Sequence, residues 1–372
     1  DDVLEENVVV KDAWAHSKRR TDSINQQEKE NDNDVRDEVV FMQRIKDCLA
    51  GRDDLKGTFA SIVHGGAVQI VGQNSTLEDN TDTAFGELVQ HTLNQCKSRV
   101  HRRITMKPEC VPLQNIESVD QLIVVVADVM AAHTAIATEC RILHRDISVN
   151  SMLFTKLPDN TVRGVLIDFD CAKDMTDSDF STRPERTGTY PYMSINNLAN
   201  SNVKRTQLDD WESLIYVLCW LGTTGINLND EKRFNPNEQL PISDWQGNDP
   251  KRVARAKRHH LQSWSGFVSD ILNGFLDIEG YFELSELVEE LYNKLFYNEK
   301  LSVLAAGTTD VVRMRGSSED AIKGRLDEKL GTEIRNPFER RAECAAEIAN
   351  DVLEVILTAR TKALERLKRH PE

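Results

Sequence analysis

At 372 residues the chain is long enough for two sizeable cores, and 40% apolar with 29% charged residues is ordinary composition for a folded globular protein. A formal net charge of −15 argues against general affinity for nucleic acid or anionic membranes, since both need clustered positive charge. The seven cysteines are scattered with no Cys-x-x-Cys pair, which excludes an obvious zinc site or disulfide framework and predicts reduced thiols in an intracellular protein, cytoplasmic or nuclear.

No signal peptide is visible and no apolar run reaches about 18 residues, so no membrane span is expected. Asp1 in the first position predicts a piece of a longer chain. Val8-Val9-Val10 reads as the end of a strand running into Lys11. Residues 16–34 are almost all polar or charged, as in a solvated insertion. From Val35 to Leu49 the spacing of Val39, Met42, Ile45 and Leu49 predicts a helix. Phe59 to Val71 alternates around Gly65-Gly66 and predicts a short hairpin; another strand is expected over Arg103–Met106, ending before Pro108.

Val119 to Leu143 carries both signals. Ile123 to Val126 favours a strand, while Leu122, Val126, Val129, Met130, His133, Ile136 and Cys140 have helical spacing, and the length without Gly or Pro favours the helix. Met152-Leu153-Phe154 and Val162–Ile167 flank Pro158-Asp159-Asn160 and predict strand, turn, strand. Leu214–Leu221 is apolar nearly all round, as in a buried helix. Residues 301–336 show little periodicity. Phe338–Leu367 has a stripe at Ala345, Ile348, Val352, Ile356, Ala363 and Leu367, which predicts a long helix docked on the body of the protein, with a basic, solvated end at Arg360, Lys362, Arg366, Lys368, Arg369 and His370.

The chemistry concentrates in Leu143-His144-Arg145-Asp146-Ile147-Ser148 and, beyond the predicted hairpin, Leu166-Ile167-Asp168-Phe169-Asp170. Either aspartate alone reads as an ordinary turn residue. The ordered pair supplies what phosphoryl transfer needs: one carboxylate to orient the attacking hydroxyl, and another to hold a divalent ion against nucleotide phosphates.

These phrases resemble the fungal-type protein kinase family, as do Val10-Lys11-Asp12-Ala13-Trp14, Ile167 to Lys173, Arg186-Thr187-Gly188-Thr189 and Glu212 to Leu218. The resemblance implies an α+β, two-lobed protein-kinase-like fold with an N-terminally truncated small lobe and a mainly α-helical large lobe. Its units would be a partial small lobe over 1–107, a large lobe over 108–300 and an extension with a long helix over 301–372. It implies ATP and Mg2+ as cofactors and a protein Ser/Thr hydroxyl as acceptor, with neither nucleic acid nor membrane as partner. Asp146 would be the catalytic base, with Arg145 beside it; Asp168 would hold the metal; Lys11 would contact the phosphates, paired with Glu38. Thr189 would bond Asp146, and Asp210 would brace the loop or simply cap its helix.

The chain departs from the superfamily pattern in places. Ser148 stands where most protein kinases have a Lys, as is common in this family, and predicts a lower rate. Ser151 replaces a metal-binding Asn, with Asn150 adjacent, so either is a candidate weak ligand. Asn196 replaces the Glu that usually pairs with a buried Arg, and no Gly-rich loop precedes Lys11. Ser178, Ser181, Thr182 and Thr187 are candidate phosphosites that Arg145 would face. Trp14 and Trp211 read as packing residues, and His16, His64 and His133 as structural or surface ones. A pseudokinase scaffold and a small-molecule phosphotransferase are the competing functions; the Gly188–Tyr192 segment counts against the latter.

Overall fold

A computed structural model describes residues 7–16, 38–71, 76–79, 99–176, 187–199, 205–225, 240–261, 263–275, 280–296 and 337–369. The expected insertion after His16, the segment 301–336, the candidate phosphosites Ser178, Ser181 and Thr182, and His370 lie outside them, while His16 itself ends a strand. The fold is α+β, with small antiparallel sheets and many helices.

Strand β1 (Val9–His16) does not end at Lys11 but runs on beyond it. Continuing the strand keeps Lys11 inside a paired run, with the register Val9 to Met106 and Trp14 to His101. Helix α1 (Glu38–Cys48) follows, burying Phe41, Met42 and Ile45. Next come β2 (Ser61–Ala67), β3 (Gln69–Val71) and β4 (Thr76–Glu78), then β5 (Arg99–Lys107), which stops at Pro108, a residue with no N–H to give a ladder. The sheet order is β1-β5-β2, so the predicted hairpin around Gly65-Gly66 does not form. Both glycines lie inside β2, and β3 pairs with β4 instead. A Cβ on Gly65 would come within 3.0 Å of Val39, so the glycine lets α1 lie close on the strand. Trp14 is 45% exposed and stacks on His101 at 4.9 Å, a surface pair in place of the expected packing residue.

A second sheet, in the order β6-β8-β9, joins β6 (Val111–Pro112), β8 (Met152–Lys156) and β9 (Val162–Leu166); the last two are the predicted strand pair. Between β6 and β8 runs helix α2 (Val119–Thr138), capped by Ser118, whose Oγ accepts from the Gln121 N–H at 3.2 Å. It stops short of Leu143: Ile142–Leu143 form β7 and pair with β10 (Lys173–Asp174). Contrary to the sequence expectation, α2 is long and apolar enough to cross a bilayer by composition. In the protein it is a core helix, 83% of its most apolar stretch being buried. Its closest neighbour in the sheet is β9, where a Cβ on Gly164 would fall on the carbonyl of Val125.

The remaining described elements are helices: α3 (Ile195–Ala199), α4 (Gln207–Thr224), α5 (Pro250–Leu261), α6 (Trp264–Asp270), α7 (Tyr281–Phe296) and α8 (Pro337–Arg369). Helix α4 is buried nearly all round, as expected, with Trp211 and Tyr216 fully enclosed. Thr206 and Asp209 form a reciprocal capping box at its start, so Asp210 lies inside the first turn and is not the cap. The stripe predicted on α8 is buried at Ala345, Ile348, Val352, Ile356 and Ala363, and it docks on α2 and α7. Its basic end is not wholly solvated. Arg366 forks onto Asp120, and Arg360 donates at 2.9 Å to Asp128, whose other oxygen accepts the Gly164 N–H at 3.1 Å. One apolar cluster runs from Phe41 in α1 to Ala363 in α8.

Candidate active site

The loop between β7 and β8 carries His144 to Ser151 and is held at nearly every residue. Arg145 takes φ +73°, a left-handed conformation that costs a side-chain-bearing residue about 1–2 kcal/mol. Its N–H donates to Asp210 Oδ2 at 3.1 Å, and its carbonyl accepts from Arg205 Nη1 at 2.9 Å. Asp210 is 3% exposed and also accepts from His133 Nε2 at 2.8 Å. Burial works against its charge, but His133, His144 and the Arg145 N–H outweigh it and hold the carboxyl below its usual range. The bracing role expected of Asp210 thus has a geometry, and His133 turns out to be its buried support.

His144 has one possible tautomer here. The Ile167 carbonyl 2.9 Å from Nε2 can only accept, so Nε2 carries the proton, and Nδ1 receives the Asp146 N–H at 3.3 Å. Burial lowers the His144 pKa and keeps the ring neutral. Asp146 Oδ1 accepts both the Thr189 N–H at 2.9 Å and the Thr189 Oγ1–H at 3.0 Å. Gly188, at φ +113°, delivers Thr189; a Cβ there would lie 3.1 Å from the Arg145 carbonyl.

Ser148 and Ser151 are both 2% exposed and face into the loop. Ser151 Oγ donates to the Asp146 carbonyl at 2.7 Å and accepts the Ser148 N–H at 3.0 Å. Ser148 Oγ accepts the Asn150 N–H at 3.2 Å, while Asn150 itself is exposed. The weak-ligand reading of Ser151 therefore meets a hydroxyl already engaged with the loop's main chain.

Beyond β9, Asp168 adopts φ +67°. Lys11 Nζ lies 2.7 Å from Glu38 Oε2, 2.8 Å from Asp168 Oδ1 and 3.0 Å from Asp170 Oδ2. Glu38 Oε1 accepts the Phe169 N–H at 3.1 Å, so one carboxylate ties β1, α1 and the Asp168 loop together. Burial opposes the charge on Lys11, yet Glu38 and Asp168 prevail and raise its pKa above the usual range. Three carboxylates share one ammonium. Glu38, the most buried of them, is pushed up to about 7, by burial first and by Asp170 next, against the pull of Lys11. The oxygens of Glu38, Asp168 and Asp170 lie within 4.8 Å of one another, a hard-oxygen donor set of the kind that suits Mg2+.

The sequence profile described as fungal protein kinase matches residues 2–222, more than half of the chain. The chain belongs to the fungal protein kinase family. Its function is therefore kinase-like, in a family that works with ATP and Mg2+ on protein substrates. No curated protein matches the chain. The family match takes in Lys11, Glu38, Asp146, Asp168, Thr189 and Asp210 and ends within α4, so helices α5 to α8 of this kinase-family protein lie outside it.

Some functional neighbours escape a sequence reading. The segment before Asn196 is gripped by its main chain: Glu212 accepts the Ile195 N–H at 2.6 Å, and Lys257 donates to the Met193 carbonyl at 2.6 Å. Lys257 is fully buried, 3.6 Å from the centre of the Tyr216 ring, and burial drives its pKa well down. One signal was available in the sequence. Lys257 falls on the Val253, Ala254 and Leu261 stripe of α5, where a solvated lysine does not belong.

Proposed function

We propose that the chain is an ATP-dependent protein kinase that transfers the γ-phosphoryl group of ATP to Ser or Thr hydroxyls of protein substrates. The observation that carries the reading is Lys11 meeting Glu38 and Asp168, which stand 27 and 157 positions away along the chain. A strand lysine with those two partners is a cation held ready for nucleotide phosphates. In this reading the β1, β2, β5 and α1 elements form the small lobe and the helical remainder forms the large one.

Asp146 acts as the base. Thr189 occupies its Oδ1, which leaves Oδ2 to receive the proton of the attacking hydroxyl. That contact between Thr189 and Asp146 is what supports Ser or Thr as acceptor. Asp168 would hold Mg2+, with the Asp170 carboxylate adjacent; bound there, the ion supplies positive charge against the phosphate oxygens. Ser151 and Ser148 keep the loop in shape and add no charge, consistent with a modest rate.

A scaffold without transfer is the second reading, favoured by the engaged Ser151 hydroxyl. The deciding experiment measures transfer from γ-labelled ATP to a degenerate Ser/Thr peptide mixture with Mg2+, using the full-length protein and Asp146→Asn. The kinase reading expects transfer that falls at least about 10²-fold in Asp146→Asn while nucleotide binding persists. Nucleotide binding without transfer would favour the scaffold. Transfer to small hydroxylated molecules but to no peptide would favour a small-molecule phosphotransferase.

A further inference from the structure

Arg205 stands immediately before the Thr206 cap of α4, where the capping box fixes the chain: the Thr206 N–H donates to Asp209 Oδ2 at 2.7 Å. From that anchored position its guanidinium reaches two loops at once. Nη1 donates to the Arg145 carbonyl at 2.9 Å, Nη1 also lies 3.3 Å from Thr187 Oγ1, and Nη2 donates to the Thr187 carbonyl. The first contact holds the left-handed Arg145 on the side opposite Asp210, so the peptide groups flanking that kink are both tied down. The second fixes Thr187, two residues before the Thr189 that bonds Asp146. Burial comes first and sets the pKa of this guanidinium below its usual range, while Asp210, Asp209 and Asp146 act electrostatically in the other direction and offset part of that burial.

We infer that Arg205 is a positioning residue for Asp146, tying the Arg145 carbonyl to the Thr187 main chain and so fixing both the kink that carries Asp146 and the segment that delivers Thr189. A planar fork suits this task because two carbonyls in different loops are met by two nitrogens of one rigid group. Lysine in its place keeps the charge but reaches one carbonyl at a time. The activity arm of the inference rests on the kinase reading; the main-chain arm does not.

The test compares full-length wild type, Arg205→Met and Arg205→Lys by steady-state kinetics and by hydrogen exchange at the amides of residues 145–147 and 187–190. The expected result for Arg205→Met is a kcat about 10- to 100-fold lower, since small misplacement of a reacting group costs about that much. KM for ATP should stay within about twofold, exchange should quicken in the two segments alone, and Arg205→Lys should recover part of both effects. Wild-type kcat with unchanged exchange in Arg205→Met overturns the inference. So does a loss in which exchange rises throughout the chain and KM for ATP rises with it, because that is plain destabilisation. Should Arg205→Met fail to fold, Arg205→Lys decides: faster exchange in either segment supports the tie, and unchanged exchange in both overturns it. A wild type that transfers no phosphate sinks the kinase reading, and the exchange comparison still decides for or against Arg205.

Discussion

Glu38 takes part in folding and in the site at once. Burial pushes its carboxyl up from the ordinary value near 4.5 to about 7, against the pull of Lys11, so the folded protein binds the extra proton between those values. Stability linked to this group therefore falls as pH rises from about 4.5 to about 7 and is level above. Glu38→Gln should lose that slope, gaining on wild type as pH rises through that window. Parallel denaturant-midpoint profiles for the two proteins would contradict the environment described for Glu38. Lys257 behaves in the opposite sense. Its depressed pKa means that the open chain binds more protons, so this group favours the fold more as pH rises. Lys257→Met removes the donor to the Met193 carbonyl and should cost about 1–3 kcal/mol in urea unfolding; a neutral outcome would show that carbonyl finding another partner. Of these residues the sequence pointed to Glu38, through the family resemblance that pairs it with Lys11. It was silent on Arg205, which belongs to no local phrase, and for Lys257 the stripe of α5 signalled burial but not the carbonyl it grips.

Among the elements, α1 and α8 were legible from a single apolar face, α2 and α4 from long apolar runs, and β8 and β9 from the turn between them. The hairpin around Gly65-Gly66 was not, since a glycine pair looks the same in a turn as in a strand pressed by a helix. Gly164 is the corresponding close approach between β9 and α2. Gly164→Ala should force the strand off the helix and destabilise the protein by more than about 2 kcal/mol, with weakened nucleotide binding because β9 leads directly to Asp168. Unchanged binding in a folded Gly164→Ala protein would separate β9 from the site. Helix α8 depends on charge as well as on its stripe. Arg360→Met leaves the Asp128 carboxylate buried with the Gly164 N–H as its remaining hydrogen bond. The cost should be about 2 kcal/mol, below that of a fully buried pair because the Arg360 side chain is 34% exposed. Adding Asp128→Asn to Arg360→Met should recover part of it in a double-mutant cycle, and strict additivity would rule out the coupling.

For the molecule as a whole, the family match stops within α4 while the apolar cluster goes on into α8. Ending the chain before Pro337 should uncover the α2 surface beneath Ile348, Val352 and Ile356, and lower soluble yield and the unfolding midpoint together. A shortened protein as soluble and stable as the original would show that α8 is an appendage. The sequence by itself determined the α+β character, the helices α1, α2, α4 and α8 and the order of Lys11, the His144 to Ser148 phrase and the Asp168 phrase, because periodicity and short motifs are written in neighbouring residues. Only the tertiary structure decided that Lys11 meets three carboxylates, that Ser151 turns into its own loop, and that Asp210 and Arg205 hold Arg145 from two sides. Such contacts join segments tens of residues apart or more. They depend on how the elements pack around α2 and α4, which no local spacing in the chain encodes.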